Sequence, residues 1–478
     1  MYPPPTNWQK FPVPSITASV IWSYQVPSGQ QVYSTPILTT LNDVPAVIFQ
    51  GWDWYLYAIS AANESLIWRY PFGGSNYGRA QAAVLTSGAQ TTIFGASHEG
   101  YVYSLSSTGT KNWDFANAFT REGSGTVTSA TTTSLSDTTK TWVVGEFLSP
   151  RAYDSTGATV TITGGTGSGE SSVIQSITPP STLVVSPAWT TKPNTTSTYS
   201  ITPAVDSDIY YQHAGTLSLE SGTYYLYVTG FDGLITKLNA STGALIWKYS
   251  AHENNEPYPL LETINGTLYV YFASVDGYVY CLNASTGALL WSTMPETISS
   301  SPMLDAFLSA GDVNDDGSLD IVVASRSTRV FVLNALTGAT EATSSSIDGD
   351  TYAGIDNEPV LIPQTNGIDN IVYGTHSGFV YCINDTGETI WRKNLGVTIN
   401  ASIQYADIFN IGTSYLVVSD MGGAITILNP DNGATIGTFN VKGGIEGTPM
   451  IADVDGSGKN ELLLTTLDGY VELFNVSL

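Results

Sequence analysis

Two short segments combine oxygen-bearing side chains with glycine at a spacing that suits a divalent cation. The first runs from residue 312 to 321 and reads Asp-Val-Asn-Asp-Asp-Gly-Ser-Leu-Asp-Ile. Side chains with oxygen recur at its positions 1, 3, 5 and 9, and the glycine at position 6 permits a sharp turn. Ca²⁺ takes about six to eight oxygen ligands, so this spacing predicts a calcium site. Its candidate ligands are Asp312, Asn314, Asp316, the Ser318 carbonyl and Asp320.

The second segment, from residue 453 to 461, reads Asp-Val-Asp-Gly-Ser-Gly-Lys-Asn-Glu. Serine stands where the first segment has an aspartate, so we expect weaker calcium binding here. In both segments the alternative interpretation is a polar hairpin that holds no metal. The candidate ligands of the second segment are Asp453, Asp455, Ser457, the Lys459 carbonyl and Glu461.

Both segments resemble the calcium loop of integrin-type (FG-GAP) propeller repeats. The first also resembles half of an EF-hand, but an EF-hand continues to a bidentate glutamate at position 12. Here Asp320 instead opens the apolar segment 321–324. The resemblance implies Ca²⁺ as the cofactor, and it implies that the ion holds a loop in place and takes no part in catalysis.

The elements that would position these loops form an internal repeat, whose clearest copy spans residues 278–291 and ends in Trp291. The ends of all copies fall at residues 22, 68, 113, 247, 291, 342, 391 and 437. Apart from one long interval, they recur at about the 40–50 residues of a four-stranded propeller blade. Six copies end in tryptophan and two have lost it, at Ala342 and Gly437. We expect these tryptophans to pack between adjacent blades.

The two ends of the chain each carry half a repeat. Residues 18–22 match the tail of a unit, and residues 469–475 match the beginning of one. Pairing them would close a ring. The sequence therefore predicts an all-β, eight-bladed propeller in which the N- and C-terminal strands share the last blade.

The repeat Gly-Tyr-Val-Tyr-Cys-Leu-Asn-Ala-Ser-Thr-Gly-Ala-Leu-Leu-Trp at residues 277–291 resembles that of quinoprotein-type (PQQ-like) β-propellers. In that family the tryptophan has the same place in the repeat and docks neighbouring blades. The resemblance is informative about the fold and weak about function, because most such propellers bind no quinone.

The long interval indicates an inserted small β domain. Its residues are rich in Thr, Ser and Gly and alternate at 159–163, while Trp142 and Trp189 could seed a core. We predict a propeller part at 1–119, the inserted domain at 120–203, and blades 3–8 at 204–478. The insertion should leave from the face that carries the Asp-Gly turns, opposite the two calcium loops.

The charge of the chain excludes several classes of partner. It has 16 Lys and Arg against 41 Asp and Glu, giving a net charge of −25. Nucleic acid and anionic membrane surfaces need clustered basic side chains, so neither is expected as a partner. No apolar run approaches the roughly 18 residues of a membrane span. The start of the sequence shows no signal-peptide pattern.

No residue is predicted to be catalytic. Quinone-dependent dehydrogenases of this fold use adjacent cysteines, whereas Cys281 and Cys382 fall at equivalent strand positions of separate repeats, where a small buried side chain is expected. His98 and His376 occupy equivalent repeat turns. His213 and His252 show no nucleophile spacing.

Eight Asn-x-Ser/Thr sites and the low content of charge favour an extracellular setting; the sites are Asn63, Asn194, Asn239, Asn265, Asn283, Asn384, Asn400 and Asn475. We therefore expect a non-enzymatic structural or adhesion protein at a cell or virion surface. Its partner would be a protein, a glycan or further copies of itself. The alternative is a secreted quinoprotein-like or carbohydrate-active enzyme that uses the central channel.

Overall fold

A computed structural model of the chain describes residues 16–72, 81–88, 90–97, 100–116, 123–142, 147, 157–202, 214–230, 233–251, 258–295, 307–325, 329–345, 354–365 and 367–478. Every regular element within these ranges is a β-strand. The strands form eight four-stranded sheets and one seven-stranded sheet. The four-stranded sheets are antiparallel blades of a propeller, which confirms the fold class that the repeats predict.

The first strand, β1 (Thr17–Gln25), belongs to the last blade, and the other seven blades follow in chain order. Blade 1 contains β2 (Ile37–Leu41), β3 (Val44–Gln50), β4 (Tyr55–Ser60) and β5 (Leu66–Pro71). Blade 2 contains β6 (Ala83–Ser87), β7 (Gln90–Ala96), β8 (Tyr101–Ser106) and β9 (Lys111–Ala116). The insertion contains β10 (Gly123–Thr126), β11 (Ser129–Ala130), β12 (Ser134–Ser136), β13 (Thr159–Gly164), β14 (Ser171–Thr178), β15 (Thr182–Ser186) and β16 (Thr198–Thr202).

The remaining blades follow the insertion. Blade 3 contains β17 (Thr216–Glu220), β18 (Thr223–Thr229), β19 (Leu234–Asn239) and β20 (Leu245–Ser250), and blade 4 contains β21 (Leu260–Ile264), β22 (Thr267–Ala273), β23 (Val279–Asn283) and β24 (Leu289–Thr293). Blade 5 contains β25 (Leu308–Gly311), β26 (Asp320–Ala324), β27 (Val330–Asn334) and β28 (Thr340–Thr343). Blade 6 contains β29 (Val360–Ile362), β30 (Asn370–Gly374), β31 (Phe379–Ile383) and β32 (Thr389–Asn394). Blade 7 contains β33 (Gln404–Ala406), β34 (Tyr415–Ser419), β35 (Ala424–Leu428) and β36 (Thr435–Asn440), and blade 8 contains β37 (Met450–Ala452), β38 (Glu461–Thr465) and β39 (Tyr470–Ser477).

Blade 8 closes the ring with strands from both ends of the chain. Its order is β1-β39-β38-β37, and β1 pairs antiparallel with β39 from Thr17 opposite Ser477 to Gln25 opposite Tyr470. Trp22 lies opposite Leu473 and is 5% exposed. The closure predicted from the two half-repeats is confirmed.

The repeated tryptophans join each blade to the next. The indole Nε1 donates to a backbone carbonyl of the following blade over 2.8–3.1 Å, in the pairs Trp22–Ala61, Trp68–Ser107, Trp113–Ala240, Trp247–Ala284, Trp291–Ala335 and Trp391–Pro430. The ring lies against the glycine of a hairpin. At Gly287, where φ is +72°, an added Cβ would meet the ring of Trp247 at 2.6 Å. The predicted interblade packing is therefore confirmed, and it explains why this turn ends in glycine.

The first strands of successive blades neighbour one another and line the central channel. Between blades 4 and 7 the channel holds a cavity of about 480 Å³. Glu262 and Glu358 are among its lining residues. Burial raises the pKa of both carboxyl groups.

The insertion forms a β domain with its own core. Its sheet has the order β10-β16-β13-β14-β15-β12-β11. Among the described residues of the insertion, fourteen buried side chains make one cluster, which includes both Trp142 and Trp189. The predicted small β domain and its two core tryptophans are thereby confirmed.

Cys281 and Cys382 are buried free thiols, as the repeat predicts. Burial raises the pKa of each to about 12. In the parts of the chain that the structure describes, no helix has the length and apolar character to cross a membrane.

Candidate metal centres

The first acidic loop connects β25 to β26 on the rim of blade 5. Its turn needs two residues in the left-handed region, Asp315 with φ of 56° and Gly317 with φ of 83°. Aspartate and glycine are the residue types that tolerate this conformation, so the loop shape follows from the sequence.

The Asp312 carboxylate holds the loop closed from inside. Its Oδ1 accepts from the backbone N–H of Asp316 at 3.0 Å, and its Oδ2 accepts from that of Gly317 at 2.9 Å. Asn314 Oδ1 also accepts from the Asp316 N–H, at 3.1 Å. The Ser318 N–H donates to Asp316 Oδ1 at 2.7 Å. Four of the five predicted ligand positions therefore lie in one hydrogen-bonded turn.

Asp320 is a fully buried carboxylate beneath this turn. Its Oδ2 accepts from the Val313 N–H at 3.1 Å, whereas its Oδ1 is buried without a hydrogen-bond donor among the described residues. Burial, together with the neighbouring Glu341 carboxylate, raises the Asp320 pKa to about 7. A buried oxygen of this kind is costly unless a cation or a proton satisfies it.

Glu341 is a candidate ligand that the sequence analysis missed. It lies on β28, and its Oε2 accepts from Asn314 Nδ2 at 3.2 Å. The register between β27 and β28 shifts here, because Val332 pairs with Ala342 and Leu333 pairs with Thr340. Glu341 lies between these two partners and is the extra residue of a β-bulge. The corresponding bulge residue is Ile or Leu in six other blades: Ile21, Ile67, Ile246, Leu290, Ile390 and Ile436. An acidic residue at a repeat position that is apolar in six other blades could have identified Glu341 from the sequence.

The second acidic loop connects β37 to β38 in blade 8. Asp453, Asp455 and Glu461 each offer an oxygen, and these oxygens lie within 4.8 Å of one another. Glu461 is 4% exposed, and its Oε2 accepts from the Val454 N–H at 2.8 Å. Ser457 Oγ donates to Glu461 Oε1 at 3.0 Å. Three carboxylates thus face one small volume in a geometry that fits a divalent cation.

The other predicted ligand positions of this loop lie at its tip. The Gly458 N–H donates to Asp453 Oδ2 at 3.0 Å, and the Ser457 N–H donates to Asp455 Oδ1 at 2.8 Å. Lys459 is exposed. A lysine ammonium has no acceptor, so only its backbone carbonyl could serve a cation.

The second loop is fastened to blade 7. The Asn460 N–H donates to Asn410 Oδ1 at 2.6 Å, and Asn410 Nδ2 donates to the Asn460 carbonyl at 3.1 Å. Asn460 Nδ2 also donates to the Asp407 carbonyl at 3.0 Å. Order in this loop is therefore coupled to the contact between the closing blade and its neighbour.

A third loop, at 407–415 in blade 7, has the same backbone design with a carboxylate only at its first position. Asp407 accepts from the Ile411 N–H at 3.0 Å and from the Gly412 N–H at 2.6 Å, as Asp312 does at the same spacing. Phe409, Ile411 and Tyr415 occupy the positions that carry ligands elsewhere. The turn folds without a ring of carboxylates, so the acids of the other two loops need another explanation.

His376, in the turn of blade 6, lies 2.8 Å from Asp356 Oδ2 through its Nε2. Its backbone N–H donates to the Gly354 carbonyl, which fits the predicted role in a repeat turn. His98, His213 and His252 lie outside the described residues.

Part of the chain matches a known protein family. A family model described as the outer membrane protein assembly factor BamB matches residues 186–353. No curated protein matches the chain significantly. Together with the eight blades, the family match supports a PQQ-like propeller.

Solved structures resemble the whole fold at low sequence identity. BamB from Moraxella catarrhalis is 15% identical with a TM-score of 0.54, and the match covers 96% of this chain and 100% of that one. Sqt1 from Saccharomyces cerevisiae is 11% identical with a TM-score of 0.60, covering 96% and 99%. A computationally designed protein, Ika8, is 12% identical with a TM-score of 0.52, covering 95% and 98%. At such identities the likeness concerns the fold alone.

Proposed function

We propose that the chain is a non-enzymatic propeller that binds calcium through its two acidic loops. In this role it would present a rigid platform to a protein or glycan partner at the surface of a cell or virion. The observation that carries the calcium part is Asp320, whose Oδ1 is buried and lacks a donor among the described residues. The same carboxyl group interacts with the Glu341 carboxylate. A bound cation would satisfy both groups.

In blade 8 coordination would come from three carboxylates whose oxygens already lie within 4.8 Å of one another. In blade 5 the candidate ligands lie in one loop and on β28, and they would draw together around the ion. In blade 5 the set would be Asp312, Asn314, Asp316, the Ser318 carbonyl and Asp320, with Glu341 added from β28. In blade 8 it would be Asp453, Asp455, Ser457, the Lys459 carbonyl and Glu461. When bound, Ca²⁺ would neutralise repulsion between these carboxylates and so order the loops.

The setting and partner class rest on separate considerations. Extracellular calcium is concentrated enough to fill weak sites, of about 10⁻⁴–10⁻³ M. The sequon asparagines Asn63, Asn194, Asn265 and Asn475 are exposed, as glycosylation requires. The matched family model describes an assembly factor, which supports a protein partner. The same proposal includes further copies of the chain as partners.

Isothermal titration calorimetry tests the proposal. CaCl₂ titrated into chelator-treated protein should show two binding events, and Asp320→Asn should remove the stronger one. MgCl₂ should bind more weakly, because Mg²⁺ demands a tighter octahedron and sheds water reluctantly. If neither loop binds calcium at millimolar concentration, both are ordinary polar hairpins.

The channel cavity supports a second candidate, a secreted quinoprotein-like or carbohydrate-active enzyme. Glu262 and Glu358 line about 480 Å³, and Tyr258 donates to Glu358 Oε2 at 2.7 Å. Two carboxyl groups are the usual apparatus of glycoside hydrolysis. Release of reducing sugar from a polysaccharide by the native chain, lost in Glu358→Gln, would favour this candidate over the first.

A further inference from the structure

One turn of blade 1 departs from the design of its counterparts. In six other blades the turn between the second and third strands ends in a glycine with positive φ: Gly100, Gly233, Gly277, Gly378, Gly423 and Gly469. In blade 1 the residue in that place is Trp54, with φ of 72°. The hydrogen bonds confirm the equivalence, since the Trp54 N–H donates to the Gly51 carbonyl as the Gly277 N–H donates to that of Ser274.

A tryptophan in the left-handed region is strained, because its Cβ crowds the backbone. Packing does not compensate for this strain, since Trp54 remains 47% exposed. Trp54 therefore lowers the stability of the fold and leaves about half of a large aromatic side chain in solvent. Backbone strain of this kind is found at functional sites, which indicates that the exposed ring contacts a ligand. The surface around Trp54 is therefore a candidate binding site.

Two further aromatic rings lie at this turn in a fixed arrangement. Trp52 and Tyr33 have ring centroids 4.8 Å apart at an interplanar angle of 36°. Gln31 ties them together: its carbonyl accepts from the Trp52 N–H at 2.9 Å, and its Oε1 accepts from Tyr33 Oη at 2.8 Å. A ligand would therefore meet rings that need little ordering on binding.

Asp53, between the two tryptophans, pins the turn. Its Oδ2 accepts from Tyr57 Oη at 2.5 Å and from Ser28 Oγ at 2.9 Å. Asp53 is thus a positioning residue that holds the backbone on which both indoles are carried. Ser28 and Gln31 place polar groups beside the rings.

We propose that the surface formed by Tyr33, Trp52 and Trp54, here named the Trp54 patch, binds a neutral pyranose of a glycan. A pyranose has an apolar face of C–H groups that packs on an indole, and hydroxyls at its edge that both donate and accept. The patch offers that combination of aromatic plane and polar border. The net charge of −25 disfavours anionic sugars. This inference rests on the proposed role as a platform and assigns its glycan site.

A proline-rich peptide is the competing occupant, since such peptides also pack on exposed aromatic rings. Proline has no N–H to donate, so it would leave the acceptors at the border of the patch unused. The glycan is therefore the better match.

The Trp54 patch lies on the face of the propeller from which the insertion departs. Because the strands alternate in direction, the turn between the second and third strands is on the same face as the connections between blades.

Affinity electrophoresis of the full chain tests the proposal. The gels contain soluble starch, hydroxyethyl cellulose, glycol chitin or yeast mannan, and we expect retardation in at least one. Trp54→Gly restores the residue of the other blades, so it should fold with an equal or higher melting temperature and bind at least tenfold more weakly. Trp54→Tyr keeps an aromatic ring and should retain part of the binding.

The outcomes separate the alternatives. Retardation that is absent from all four gels, or unchanged in Trp54→Gly, overturns the proposal. Binding to decaproline with none to the polysaccharides overturns it in favour of a peptide site. The calcium-dependent rise in melting temperature is measured on the same samples, and Trp54→Gly should leave it intact. Failure of the glycan site is thus distinguishable from failure of the calcium proposal.

Discussion

Blades 5 and 8 carry the same kind of acidic loop on differently built sheets. Blade 5 is one continuous segment, and its loop meets a further carboxylate, Glu341, on its own outermost strand. Blade 8 is assembled from both ends of the chain, and Asn460 fastens its loop to blade 7. A cation in blade 5 would mainly satisfy a buried charge. In blade 8 it would support the closure of the ring.

Removing β1 should lower the thermal stability most, because it takes one strand out of blade 8. The sequence of blade 5 is unchanged by this deletion. Deletion of residues 1–25 exposes the edge of β39 and removes Trp22 from the core. We expect cooperative unfolding at a much lower temperature, or insoluble protein. Thermal melting followed by circular dichroism measures this.

Deletion of residues 1–15 alone is the matched control, since those residues precede β1. It should melt close to the full chain. If the longer deletion also melts unchanged, strand pairing between the two ends does not hold the ring, and blade 8 is no different from blade 5 in this respect.

Chelation of calcium should cause the next largest loss of thermal stability, because it acts on the loops of both blades at once. Binding to the folded state alone stabilises by RT ln(1 + [L]/Kd), or about 2.7 kcal/mol per site at a hundredfold excess over Kd. We expect the chelator to lower the melting temperature by several degrees. Asp316→Ala should reproduce much of this loss with calcium present. A melting temperature indifferent to both calcium and chelator would contradict the proposal.

Substitution of one carboxylate separates metal binding from loop folding. Asp312 and Asp407 each accept two backbone N–H groups at the same spacing, but only Asp312 belongs to an acidic loop. Asp312→Asn should weaken calcium binding by at least about tenfold, or about 1.4 kcal/mol. Asp407→Asn should cost similar stability without calcium and leave the calcium affinity of the blade 5 site unchanged. Equal effects on calcium affinity would show that Asp312 acts only as a turn residue.

The repeat explains why most of the fold was predictable. The copies share similar strand lengths and a turn that reads Asn-Ala-Ser-Thr-Gly in its two clearest examples, and six of them share the docking tryptophan. An ambiguity in one copy is therefore resolved by the others. In the turn itself, Asn283 Oδ1 accepts from the N–H groups of Ser285 and Thr286, which is why asparagine begins it. Even the split blade followed from two incomplete copies.

The candidate site was predictable only where its residues are contiguous. The spacing within 312–320 and 453–461 reveals the ligands that one loop can supply. Glu341 lies on another strand and comes near only because a bulge turns its side chain toward Asn314. Trp54 was missed for a similar reason, since its backbone strain is a property of the folded turn. Both residues stand out only as departures from the repeat.

Glu341 also supplies the finest test of the comparison. Glu341→Gln keeps the size of the side chain and removes its charge, so blade 5 would lose one of its four candidate carboxylate ligands. We expect about a three- to tenfold loss of calcium affinity at that site, and no change in blade 8, because charge count tunes affinity in such loops. Titration calorimetry resolves the two sites if their affinities differ.

The matched control is Ile390→Gln, which places the same side chain at the equivalent bulge of blade 6. Blade 6 has no acidic loop of this kind, so its variant should bind calcium as the native chain does. Without calcium, Glu341→Gln should be more stable than the native chain, because it relieves repulsion with Asp320. If both variants leave calcium affinity unchanged, Glu341 is not a ligand, and the loop of blade 5 relies on its own residues as that of blade 8 does.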